Sequence, residues 1–185
     1  MARARFPDGL ERRAAVELRA DTAGRKLIGY AALFGSPTSI GSFSESIRQG
    51  AFTESLAGGA DILALVDHDP TRLLARRSSG TLRLTEDALG LHFEIDAPDT
   101  QLGRDMVALA ERRDLGGASF GFRVKDDHWP RDNVRELRKV ELIEISLVQA
   151  FPAYAQTSVQ ARSRYIGPAA RMRKRYMETL PCHPY

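Results

Sequence analysis

The stretch "GTLRLTEDALGLHFEID", residues 80–96, interrupts and then resumes a two-residue rhythm. Leu82 and Leu84 alternate with polar neighbours, Glu86-Asp87 breaks the pattern, and Leu91, Phe93 and Ile95 take it up again. Successive side chains of a strand point to opposite faces, so this reads as a hairpin with one buried face and His92 on the solvent side. Other segments obey the same rule. "RKLIGYAALFG" (25–35) reads as a strand. "DILALVDHDP" (61–70) is a short aliphatic run stopped by Pro70, as in a buried strand. "ASFGFRV" places Phe120, Phe122 and Val124 on one face, and "VRELRKVELIEISLVQAF" is the last strand region before "PAYAQT" closes the compact part.

Helical periodicity is confined to few places. Leu102, Met106, Leu109 and Ala110 recur at helical spacing in "QLGRDMVALAERRD". Asp99 or Thr100 is placed to cap that run, and Gly116-Gly117 to end it. "SESIRQGAFTESLAGG" allows one or two short helical turns before Gly58-Gly59, and "DDHWPRDN" reads as a turn. Residues 1–24 read as a polar, Arg-rich lead-in. Strands therefore dominate, joined by short connections and without internal repeats. The expected fold is α+β but mainly β: an antiparallel sheet or barrel with a few helices packed outside.

Length and charge set the bounds. The chain has 185 residues, enough for one domain with a full core and a tail. The domain is expected over residues 1–161. Residues 162–175, "RSRYIGPAARMRKR", hold six Arg or Lys and no acid, so 162–185 reads as a basic appendage. The net charge of +3 belongs mostly to the two ends. Aromatic residues do not interleave with the basic runs as a stacking platform for nucleic acid would, and no glycine-rich phosphate loop follows a strand. One cysteine, Cys182, fits a reducing compartment. His68, His92, His128 and His183 have no paired metal-ligand spacing, so neither metal nor cofactor is expected. His128 reads as a turn residue and His183 as a tail residue. No segment has the length of a membrane span or the apolar core of a signal peptide.

The candidate chemistry lies in three separated segments. A serine hydroxyl needs a base within hydrogen-bond reach, and the base needs a partner that fixes its tautomer. Ser119, opposite Phe120 and Phe122, is expected to point outward beside Gly121 and Arg123. Open space left by glycines 116, 117 and 121 would let backbone N–H groups approach an oxyanion. His68 sits at the end of an aliphatic strand, where functional groups concentrate. Glu144 lies in "ELIEISLV", with Leu142, Ser146 and Val148 assigned to its face. A carboxylate in such a strand needs a partner. The pattern leaves bland alternatives open: a plain strand serine, a hydrogen-bonded surface histidine, and a glutamate paired with arginine.

At these same residues the sequence resembles the prohead (capsid maturation) proteases of tailed bacteriophages, which are related to the herpesvirus assemblins. The likeness covers about residues 14–160. It runs in order through "GYAALFG", "FSESIRQGAF", "LVDHDPTRLLAR", "SGTLRLTEDALGLHFEIDAPDT", "GGASFGFRV" and "ELIEISLVQAFPAYAQT". It implies a serine endopeptidase on a closed β-barrel, with Ser119 as nucleophile, His68 as base and an acid as third member. Glu144 is the best match for that acid and Glu141 the fallback. The implied partners are the major capsid protein and its scaffolding region. Self-cleavage and a homodimer are further implications, and no membrane or nucleic acid is. The implied place is the host cytoplasm, inside the assembling procapsid. Ala75-Arg76 departs from the Gly-Arg pair that relatives often carry after the histidine, and the oxyanion donors have no assignment. The rival reading is a capsid-assembly or scaffolding protein on the same fold without turnover.

Overall fold

Phe120, Phe122, Leu142, Ile145 and Leu147 are almost wholly inaccessible, and together they put the core on one face of the two longest strands. In this computed structural model the described residues are 9–15, 18–21 and 25–149. "PAYAQT" and the basic segment 162–185 lie outside them. In chain order the elements are β1 (Glu11–Ala15), β2 (Leu18–Asp21), β3 (Lys26–Leu33), β4 (Thr38–Ile40), β5 (Phe43–Ile47), α1 (Thr53–Ala57) and β6 (Leu63–Val66). They continue with β7 (Asp69–Arg76), β8 (Leu82–Glu86), β9 (Gly90–Asp96), α2 (Gln101–Glu111), β10 (Gly117–Arg131) and β11 (Val134–Val148).

The hairpin expected over residues 80–96 is β8–β9, with Leu84 opposite Phe93 and Leu82 opposite Ile95. It joins β3 and β2 in a sheet ordered β2-β3-β9-β8. His92 is half-buried there, its ring set edge-on to Tyr30 at 5.2 Å. The second sheet runs β1-β10-β11-β5-β4, with β6 on β11 and β7 on β6. Its pairing is mixed. β11 runs antiparallel to β10 but parallel to both β5 and β6, which corrects the expectation of purely antiparallel strands.

The sequence reading also missed several elements. The polar lead-in contains β1 and β2. Their alternation is hidden because β1 buries charged side chains, Glu11 and Arg13, instead of apolar ones. The short helical turn expected before Gly58-Gly59 is α1, but the strand β5 just ahead of it went unread. Pro70 does not end the strand region, because Asp69 opens β7 as the second arm of a hairpin with β6. "DDHWPRDN" is not a turn either. β10 continues to Arg131, His128 pairs with Glu136, and the turn is Asp132-Asn133 alone. Polar composition misled here because this arm is held by ladder hydrogen bonds and by Asp127, which accepts from the Trp129 indole and from Arg135.

Helix α2 matches its signal. Thr100 caps it by accepting from the Gly103 N–H at 3.2 Å, and Met106, Val107 and Ala110 are buried. Burial of such side chains, each about 1.5–3 kcal/mol when large and fully covered, is what holds helix to sheet. Phe52, beside α1, packs edge-on against Phe120 with ring centroids 5.5 Å apart, and Phe120 stacks on Phe122 at 5.0 Å.

Candidate active site

Strands β10 and β11 pair residue by residue, but the ladder slips between Gly121 and Phe122. Gly121 faces Glu144, whereas Phe122 faces Leu142, so Ile143 has no opposite number. A bulge of this kind re-aims the side chains on either side of it. Leu142 consequently joins the core with Phe122. This corrects the reading that put Leu142 on the Glu144 face. Beyond the bulge, Ile145 and Leu147 take the core, and Glu144 and Ser146 turn to the other face.

Glu144 lies over Gly121. A Cβ at position 121 would come within 2.5 Å of Glu144 Oε1, so glycine is what leaves room for the carboxylate. Glu144 Oε1 meets His68 Nδ1 at 2.6 Å. An ionised carboxylate only accepts, so opposite one Nδ1 supplies the proton of this bond, and in a neutral imidazole Nε2 then keeps its lone pair. Nε2 is buried and has no hydrogen-bond partner among the described residues. Buried polar atoms are normally paired, and one left open asks for an explanation. Arg12 from β1, half-exposed, approaches the same carboxylate oxygen at 3.8 Å. The fallback acid, Glu141, is engaged elsewhere: its carboxylate reaches Lys125 at 2.7 Å and Arg123 at 3.7 Å.

His68 is presented by a tight turn. Val66 pairs with Asp69, and the two residues between them, Asp67 and His68, have φ of 51° and 61°. Two consecutive left-handed residues are what a two-residue hairpin of the type I′ kind requires. Without glycine this costs roughly 1–2 kcal/mol per residue. Ties to β11 and its end offset that cost. Asp67 N–H donates to the Leu147 carbonyl at 2.9 Å, and Gln149 N–H donates to Asp67 Oδ1 at 2.9 Å. Arg72 bridges Asp67 Oδ2 at 2.8 Å and Gln149 Oε1 at 2.6 Å.

Ser119 sits on the Glu144 side of the sheet, as its alternation with Phe120 demands, and it pairs directly with Ser146. It does not point into open space, however. Ser119 is 0 % exposed, and its hydroxyl donates to the Arg13 carbonyl of β1 at 2.7 Å. The expectation of an open surround overlooked β1, which pairs with β10 along Glu11–Ala15 and sets Ala14 opposite Ser119. No hydrogen bond joins Ser119 to His68 among the described residues. The structure thus brings His68 and Glu144 into contact and sets Ser119 on the neighbouring strand of the same face, with its hydroxyl turned aside.

Residues 14–171 match the family described as Caudovirus prohead serine protease. The chain belongs to that family. No curated protein and no solved structure matches it. As a Caudovirus prohead serine protease it is a peptidase, and its family has a role in processing capsid proteins in the phage prohead. The matched region opens at Ala14, so Arg12 and Arg13 lie just ahead of it. Among the described residues of this protease no helix is long and apolar enough to cross a membrane.

Arg13 and Ser146 are the site neighbours that sequence reasoning missed. Arg13 contributes a backbone atom, which no side-chain pattern reveals. Ser146 left a faint signal, a second serine two residues after Glu144 on the same strand face.

Proposed function

We propose that Ser119, His68 and Glu144 form the catalytic triad of an endopeptidase that cleaves the capsid protein and its scaffolding region during prohead maturation. The observation that carries the reading is the 2.6 Å bond from His68 Nδ1 to Glu144, with Nε2 buried and without a partner among the described residues. That arrangement leaves one imidazole nitrogen free to take a proton. Ser119 first gives up its bond to the Arg13 carbonyl. Its proton passes to Nε2 as Oγ attacks the scissile carbonyl carbon, and Glu144 stabilises the imidazolium. The imidazolium then protonates the leaving amine, and the C–N bond breaks. Water, activated by the neutral imidazole, hydrolyses the acyl-enzyme and restores Ser119. The chemistry needs no metal or cofactor.

Contacts of β3 with β1 and β10, and of β7 with β9, support a closed barrel in which the two sheets meet along two seams. The site would then lie on the outer surface of this barrel, because a small barrel fills its interior with side chains. The place of action fits the interior of the assembling procapsid in the host cytoplasm. Self-cleavage and a homodimer remain part of the proposal through the family likeness.

The test is co-expression with the capsid protein. S119A is expected to abolish cleavage, with an unchanged circular dichroism spectrum. Full cleavage by that variant would remove Ser119 from the mechanism.

A further inference from the structure

We infer that Ser146 is a positioning residue that fixes the distance between base and nucleophile by holding the backbone of His68. The inference rests on the triad proposed above and names a group outside it. Ser146 is 0 % exposed, and its Oγ accepts the His68 backbone N–H at 2.7 Å. His68 is the second residue of a tight turn at positive φ, so its N–H faces away from the β6–β7 ladder. Without Ser146 that part-buried donor would lose its one described partner, and a donor left unpaired there carries a cost.

Strand β11 therefore grips His68 at two points. Glu144 holds the ring through Nδ1, and Ser146, two residues on along the same face, holds the main chain. The ties through Asp67 hold the turn as a whole, whereas the Ser146 bond acts on the main chain of His68 itself. The two holds on His68 fix both where the ring is and where Nε2 points. Ser146 is also the direct cross-strand partner of Ser119. Opposed residues in an antiparallel pair keep their Cα atoms roughly 4.5–5.5 Å apart. The base is thus anchored to the very residue pair that carries the nucleophile, and the separation is set by a sheet ladder instead of a loop. Misplacement of a reacting group by about 1 Å can cost roughly a hundredfold in rate.

The experiment uses the full chain and a fluorophosphonate probe that labels activated serines. Wild type should label and S119A should not. If S119A labels like wild type, the triad reading fails, and the role given to Ser146 fails with it. If that control holds, S146A should label roughly ten- to a hundredfold more slowly. Its peptide cleavage should lose kcat with KM unchanged, a split that a merely structural role would not produce. Wild-type labelling and kcat in a folded S146A would overturn the inference, as would complete loss of labelling in S146A with S119A still labelled, which would make Ser146 the nucleophile. Should S146A fail to fold, amide hydrogen exchange on the wild type decides. The His68 amide is expected to be protected, and exchange at the rate of an unfolded chain would overturn the inference.

Discussion

Gly121 carries more of the site than its size suggests. It is opposite Glu144 in the ladder, and its missing side chain is the space the carboxylate occupies. A methyl group there meets the far end of a flexible side chain, so the sheet can survive while the carboxylate moves off His68. G121A is therefore expected to leave the melting temperature within a few degrees of wild type and to lower kcat by roughly a hundredfold, since the proposed base, His68, loses its orienting partner. Steady-state kinetics with a parallel thermal melt checks both halves. An unchanged kcat would mean that the His68–Glu144 contact is not what limits turnover.

At the scale of elements, β1 decides how Ser119, the proposed nucleophile, is kept. Its carbonyl at Arg13 receives the Ser119 hydroxyl, and its side chains at Glu11 and Arg13 enter a buried ionic cluster. Arg13 binds Glu45 through Nε at 2.6 Å and Glu11 through Nη2 at 2.6 Å. Arg135 binds Glu11 at 2.8 Å, Glu45 at 3.0 Å and Asp127 at 2.8 Å. Burial works against the Arg135 charge, yet the carboxylates of Glu11, Glu45 and Asp127 outweigh it and raise the guanidinium above its ordinary value. The cluster ties β1 and β5 to β11, so β1 is held by charge where a typical strand is held by apolar packing. Such a cluster costs most when broken one-sidedly, because the remaining charges stay buried. E45A strips a partner from both arginines. It should destabilise the fold by about 3 kcal/mol, or roughly 10 °C in melting temperature, read by calorimetry. A shift near zero would mean that Glu11 alone satisfies both guanidinium groups.

At the scale of the whole molecule, Asp87, Asp96 and Asp99 share one bias. Asp87 is held below the ordinary carboxylate range by the Tyr30 hydroxyl and then by the Gly90 and Leu89 N–H groups. Asp96 is lowered by its paired hydrogen bonds from Arg83, and Asp99 by Arg104 and Arg25. A carboxyl whose folded pKa is depressed adds stability that is fully present above its unfolded value, about 3.9, and is lost as pH falls through the folded value. These groups should leave urea stability insensitive to pH between 5 and 7 and make it fall below about pH 4. D87N should show a shallower fall than wild type over that acid window. Equal slopes would remove Asp87 from the acid response.

What could be read in the chain follows from local periodicity. Leu84 and Phe93 announced β8–β9, Met106 and Ala110 announced α2 with Thr100 as its cap, and the Phe120/Phe122 alternation put Ser119 on the face opposite the core. Histidine at a strand end and a carboxylate in an apolar strand made His68 and Glu144 candidates with their partners left open; the family resemblance put them together, and the fold shows the two in contact. Other features depend on strands that are distant in sequence and had no local signal. The bulge at Ile143 sends Glu144 and Leu142 to opposite faces, and it exists only where β10 meets β11. The parallel pairing of β11 with β6 brings the His68 turn beside Ser146, and the pairing of β1 with β10 closes over Ser119. Periodicity is a property of one segment and can be read from it. Register, bulge and burial are properties of a pair of segments, and only the folded sheet decides them.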